Sequence, residues 1–250
     1  MAQPARANIA GLTGGRIDEA LLAKLLRHVT HAPPNGSEPA PLEVRLPFTG
    51  EILGYIPHGT AGDVAAAVRR ARAAQPTWTA TSFAERAAIF LRFHDMLLDR
   101  QEEILDLIQL ESGKARAHAF EEVADTAVVA RYYAHRAEEF LRPRRRRGAL
   151  TALTSTIERR HPIGVVGFMV PWNYPLNLAV TDAIPALMAG NTAVLRPDRQ
   201  TSFTALWAID LLFEAGLPAD VLTIVTGEGP ELGPPLIGAV DFVMFTGSTR

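Results

Sequence analysis

"VVGFMVPWNYPLNLAVTDAIPALMAGNTAVLRPD", residues 165–198, changes its hydrophobic period twice. An unbroken apolar run over 165–170 has the length of a buried strand and stops at Pro171. A helical pattern follows over 176–189, which Gly190 can close in a left-handed cap, and a second apolar run over 192–195 predicts another strand. Downstream the alternation repeats. A helix is expected over 201–215, ended by Gly216 with Pro218 beyond it, then a strand over 221–225, a short helix after a glycine-containing turn, and a fourth strand over 241–245. Short apolar strands alternating with helices imply a parallel sheet covered on both faces, an α/β, doubly wound nucleotide-binding architecture.

Upstream the pattern is helical. "VRLPFTGEILGYI" from Val44 reads as two short strands around a Thr49-Gly50 turn, and three helices are expected after it. Thr60 and Asp63 cap the first, which Pro76 stops at about Gln75. Ser82 and Glu85 form a capping box for the second, with Phe83, Ala87, Phe90 and Leu91 as its core stripe. The third runs over 116–141, after Gly113. Before the strands, a short helix over 18–27 and the breaker-rich "HAPPNGSEPAP" at 31–41 form a loosely organised start. His28 and His31 have metal-compatible spacing but no neighbouring ligand cluster, and read as a solvated pair.

Composition narrows the function classes. With 250 residues and 48% apolar content the chain can bury a core, and its formal charge of −2 creates no field toward nucleic acid or an anionic membrane. The run "RPRRRR" at 142–147 lacks interleaved aromatics and reads as a solvated connector or subunit contact, while "TALTSTIERR" at 151–160 reads as an extended, protruding strand. There is no cysteine, hence no disulfide, Cys-based zinc site or thiol nucleophile within these residues. Residues 1–8 lack a signal pattern and no apolar run approaches the roughly 18 residues of a membrane span, so a cytoplasmic location is expected.

In a parallel sheet, ligands sit beyond the carboxyl ends of the strands. That rule selects Pro171, Trp172 and Asn173 after the first strand, and Arg196, Pro197, Asp198 and Arg199 after the second. It also selects Gly227 and Gly229 after the third, and Thr246, Gly247 and Ser248 after the fourth. Two guanidinium groups suit phosphate, the glycines let a ligand approach the backbone, and the Gly-Ser turn offers amides and a hydroxyl to pyrophosphate. "GEGPELG" at 227–233 is a weak fingerprint by itself, since its third glycine lies one residue too far and it follows the third strand rather than the first.

"VPWNYP", "AGNTAVLRP", "EAGLP", "IVTG" and "FTGSTR", with "PFTGE" and "ESGK" upstream, occur in an order that resembles the aldehyde dehydrogenase superfamily. Among its members the chain looks most like the bacterial NADP-dependent succinate-semialdehyde dehydrogenases. The resemblance implies a division into an N-terminal extension and linker (1–43), the N-terminal strands and helices of a cofactor domain (44–147), an oligomerisation strand segment (148–162) and an incomplete parallel cofactor-binding core (163–250). It implies that the Asn173 carboxamide helps form an oxyanion hole, that Pro171 and Trp172 lie against the nicotinamide, and that Arg196 stands where the family has a ribose-binding lysine. Arg199 stands where many NAD-preferring members carry a carboxylate. The reversed sign implies preference for NADP over NAD, with Asp198 as a competitor for the guanidinium.

The family's catalytic cysteine and glutamate are absent from these residues. The expectation is therefore the N-terminal part of an oxidoreductase that converts an aldehyde to the acid with NADP or NAD, homo-oligomeric when complete. The alternative is a noncatalytic nucleotide-binding or subunit-interaction module. Either way the isolated 250-residue chain is expected to be poorly soluble, because the sheet would present an open edge.

Overall fold

The computed structural model describes residues 12–13, 16–31, 39–150 and 153–247; Ser248, residues 1–8 and most of the 31–41 linker lie outside them. A two-residue ladder of β1 (Leu12–Thr13) and β2 (Arg16–Ile17) leads into α1 (Glu19–Leu26), where the Asp18 carboxylate accepts from the Leu21 N–H at 2.8 Å. The expected hairpin follows as β3 (Leu42–Arg45) and β4 (Ile52–Ile56), antiparallel across the Thr49-Gly50 turn.

Four helices follow rather than three: α2 (Ala61–Ala80), α3 (Phe83–Asp99), α4 (Gln101–Ser112) and α5 (Arg116–Leu141). The expected capping box of Ser82 with Glu85 forms, and Thr60 and Asp63, expected as caps, form a second one. Pro76, however, does not stop α2. The Pro76 nitrogen forfeits one helical hydrogen bond, but the turn beyond it is held from outside, by the buried Trp78 indole N–H donating to Leu187 O (3.0 Å) and the Thr79 hydroxyl donating to Gly190 O (2.9 Å). The additional helix is α4, which lies between the second and third expected ones and is set off from α3 at Arg100, whose guanidinium lies 2.7 Å from both Glu103 and Glu214. The buried stripe of α3 is centred on Ile89, Phe90, Phe93 and Leu97, with Phe83, Ala87 and Leu91 on its flank.

After α5 come β5 (Arg144–Arg146) and β6 (Thr156–Glu158), an exposed antiparallel hairpin. The arginine run is thus a strand, with Arg146 paired to Glu158 at 2.6 Å, and the Thr-rich segment is its partner. The alternating region then supplies β7 (Val165–Met169), α6 (Asn177–Val180), α7 (Ala183–Met188), β8 (Thr192–Arg196), α8 (Ser202–Glu214), β9 (Leu222–Ile224), α9 (Gly229–Ala239) and β10 (Phe242–Phe245). The single helix expected over 176–189 is two pieces, because Pro185 has no N–H to give to the carbonyl of Thr181, where the chain turns. Gly190 and Gly216 close their helices with positive φ, as expected.

The four long-range strands form one parallel sheet in the order β10, β7, β8, β9. Side chains alternate across each strand. Val165, Met169 and Val194 pack with Val64 and Val68 of α2 and Leu232 and Leu236 of α9. Val166, Phe168 and Leu195 enter the main core with Phe203 and Trp207 of α8 and the apolar faces of α3 to α7. The expected two-sided burial is therefore present. The β9 edge is closed by the segment after α1: Val29 bridges Ile224, and the Thr30 N–H donates to Ile224 O at 2.7 Å.

That same segment corrects the reading of its histidines. His28 Nε2 lies 3.1 Å from the buried Asp210 carboxylate with its ring against Phe213, and His31 lies 3.8 Å from Asp63, so neither is simply solvated. At the other end of the sheet Phe242 and Phe245 of β10 are 47% and 62% exposed. An apolar strand end of this kind favours self-association. The isolated chain is expected to elute as soluble, self-associated oligomers on size-exclusion chromatography with light scattering, and a monodisperse monomer would contradict this. Among the described residues no helix is long and apolar enough to cross a membrane, and no group of three or more His, Cys, Asp or Glu could hold a metal ion.

Candidate functional site

The carboxyl ends of the strands open onto a cavity of about 830 Å³. That volume lies within the usual range for sites that enclose a small molecule or cofactor. Residues 169–172 at and after the end of β7, Arg196 at the end of β8 with Asp198 beyond it, residues 228–230 before and within the first turn of α9, and Thr246 and Gly247 after β10 contribute to its walls. Of the residues selected from the sequence, Pro171, Trp172, Arg196, Asp198, Gly229, Thr246 and Gly247 line the cavity; Asn173, Pro197, Arg199 and Gly227 adjoin lining residues in the chain without lining it themselves. Ser248 lies outside the described residues.

Arg196 is 8% exposed at the end of β8, and its Nη2 donates to Gly227 O at 3.0 Å. Burial lowers its pKa, while the carboxylates of Asp198 and Glu228 act in the opposite direction. Its Nε makes no hydrogen bond among the described residues. The two neighbouring glycines make room for this arrangement. A Cβ at Gly229 would sit 3.2 Å from Arg196 Nη2, and one at Gly227, where φ is +156°, would sit 2.6 Å from Leu232 Cδ1. The space a side chain would take is thus used by the protein's own Arg196 and Leu232.

Arg199 begins the 3₁₀ turn Arg199–Thr201, and its guanidinium lies 3.3 Å from Glu228. The expected competitor, Asp198, is engaged elsewhere: its carboxylate accepts from the Gln200 N–H at 2.9 Å and so caps that turn. Glu228 thus replaces Asp198 as the partner of Arg199. In the sequence Glu228 stands between two glycines of a weak fingerprint, and its charge is the one signal of this role. Met169, Pro234, Ile237 and Phe245 also line the cavity, and as members of ordinary apolar runs they carry no such signal.

Trp172 is half exposed on the loop after β7, and Asn173 is exposed beside it. The loop is fastened from below. Lys114 Nζ donates to Asn173 O at 2.7 Å, stands 4.0 Å from the centroid of the Tyr174 ring, and is paired with the buried Glu122 carboxylate. Glu122 in turn accepts from the N–H groups of Leu176 (3.1 Å) and Asn177 (3.3 Å). Its pKa is raised by burial, against the pull of Lys114 and of these amides.

The sequence model of the aldehyde dehydrogenase family matches residues 35–250. The chain belongs to the aldehyde dehydrogenase family. It is 48% identical over 202 residues to a Mycolicibacterium smegmatis protein named as a candidate NADP-dependent succinate-semialdehyde dehydrogenase, a match covering 81% of this chain and 39% of that protein. The structure is similar to that of an NAD-dependent benzaldehyde dehydrogenase from Corynebacterium glutamicum, with a TM-score of 0.79 and 31% identity over 86% of this chain and 47% of the other. It is also similar to an NADP-dependent glyceraldehyde-3-phosphate dehydrogenase from Bacillus halodurans in complex with NADP, with a TM-score of 0.77 and 32% identity over 82% of this chain and 44% of the other. This aldehyde dehydrogenase chain thus spans less than half the length of each of these relatives.

Proposed function

We propose that the chain is the cofactor-binding part of a cytoplasmic, homo-oligomeric aldehyde dehydrogenase that uses NADP in preference to NAD and oxidises succinate semialdehyde to the acid. The observation that carries the cofactor reading is the cavity beyond the strand ends with Arg196 in its wall and Arg199 at its side. The residues fit a dinucleotide. A buried guanidinium with an unused Nε and the N-terminal end of the eleven-residue α9 both favour anionic oxygens. Pro171 and Trp172 offer an apolar surface to a nicotinamide ring, which when bound supplies the hydride acceptor. Thr246 and Gly247 continue the wall toward a pyrophosphate, and Asp198 with its neighbour Pro197 shapes the ribose side. Asn173 has the role of an oxyanion-hole donor, its carboxamide N–H stabilising charge on the aldehyde oxygen. The M. smegmatis relative's name supports both the substrate and NADP.

A noncatalytic nucleotide-binding or subunit-interaction module would rest on the same cavity. Calorimetric titration of the chain with NADP and NAD tests the cofactor site that the first reading requires. NADP is expected to bind about tenfold more tightly, a difference of about 1.4 kcal/mol, and Arg199→Glu is expected to abolish or reverse that preference. Tighter binding of NAD to the parental chain would overturn the NADP assignment. Binding of neither would overturn the cofactor site.

A further inference from the structure

We propose that Glu228 is a specificity-determining residue that disfavours a 2′-phosphorylated nucleotide, so that the Arg199–Glu228 pair selects between the two nicotinamide cofactors. The inference rests on the reading of the cavity as an adenine dinucleotide site. Glu228 lines that cavity, and it occupies the N-cap position of α9, where shorter side chains such as Asp or Ser accept from the first amides of the helix. Here it makes no such bond. Its side chain reaches Arg199 at 3.3 Å instead, joining the segment after β9 to the segment after β8. The other carboxylate in the wall, Asp198, is committed to the Gln200 amide.

The two halves of the pair favour opposite ligands. A ribose 2′-hydroxyl can donate to the Glu228 carboxylate, whereas a 2′-phosphate, with about −1.5 to −2 charges, is repelled by it and attracted to Arg199. At Arg199 the phosphate competes with Glu228 for the guanidinium. Both side chains are over a third exposed, at 43% and 36%, so the pair is weak and this exchange is easily made. Arg199 thereby confers the NADP preference and Glu228 limits it.

The test is calorimetric titration of the full 250-residue chain with adenosine 2′,5′-bisphosphate and with 5′-AMP, for the parent, Glu228→Gln and Glu228→Lys, and for each change combined with Arg199→Gln. Glu228→Gln is expected to raise the affinity ratio of the bisphosphate over 5′-AMP by about fivefold, Glu228→Lys by more, and Glu228→Gln by less when Arg199 is also replaced. A ratio that stays the same or falls in both Glu228 variants, while the parent binds both ligands, would overturn the role of Glu228 alone. A parent that binds neither ligand would overturn the dinucleotide reading and this inference with it.

Discussion

Glu111→Ala is expected to destabilise the chain by about 3–5 kcal/mol, measured by urea unfolding. Glu111, near the end of α4, is 3% exposed, and its two oxygens accept from the N–H groups of Phe203 (2.7 Å) and Thr204 (2.6 Å) in the first turn of α8. The residue at the N-cap of α8, Thr201, makes no side-chain capping bond, so a different helix supplies the cap. Alanine would leave two buried amides without a partner, each costing about 1–3 kcal/mol. The same burial raises the pKa of Glu111 to about 7 from its ordinary 4.5. A carboxyl that holds its proton more tightly in the folded state adds stability that is complete below about pH 4.5 and is lost as pH rises through about 7. The difference corresponds to about 3 kcal/mol. Between pH 5 and pH 8.5 the parent should therefore lose most of that amount relative to Glu111→Gln, which has no proton to release. Parallel stability profiles for the two proteins would remove Glu111 from the pH dependence, and a loss below about 1 kcal/mol in Glu111→Ala would remove it as the cap of α8.

Such a cap is not legible in the sequence, for the same reason that other features escape it. The apolar runs of β7 and β8, the capping boxes at Thr60 and Ser82, and the glycine stops at Gly190 and Gly216 are local, and each produces the element it predicts. Pro76 misleads because its outcome is set at a distance, by Leu187 and Gly190. Pro185 is the converse: a local signal for the break between α6 and α7 outweighed by an attractive helical period. At the strand ends, the rule that ligands sit beyond them selects Arg196, which lines the cavity, and Arg199, which adjoins it in the chain. It cannot find that Arg199 prefers Glu228 to its own neighbour Asp198, because that choice depends on where two strand ends meet. Closure of the β9 edge by Val29 and Thr30 has the same character.

Glu122→Ala is expected to cost about 3–5 kcal/mol and to release the loop that carries Asn173. The carboxylate of Glu122 is buried, and it joins the Lys114 ammonium to the amides of Leu176 and Asn177, while Lys114 holds the carbonyl of Asn173. Removing one partner of a buried pair leaves the other charge uncompensated, here an ammonium only 16% exposed, and two backbone donors lose their acceptor as well. The position of the Asn173 carboxamide thus depends on two side chains, one from the turn after α4 and one from α5. Hydrogen exchange separates this local effect from global loss of stability. Amides at Leu176 and Asn177 should exchange more than about tenfold faster in Glu122→Ala, beyond any change at Val166 in β7. Tryptophan quenching gives an independent reading, since Trp78 and Trp207 are buried and Trp172 is half exposed, so a rise in quenching reports the loop. Lys114→Met should loosen Asn173 and Tyr174 while Glu122 keeps its bonds to Leu176 and Asn177. If exchange in both variants rises equally across the loop and β7, the pair serves the stability of the core and does not position Asn173.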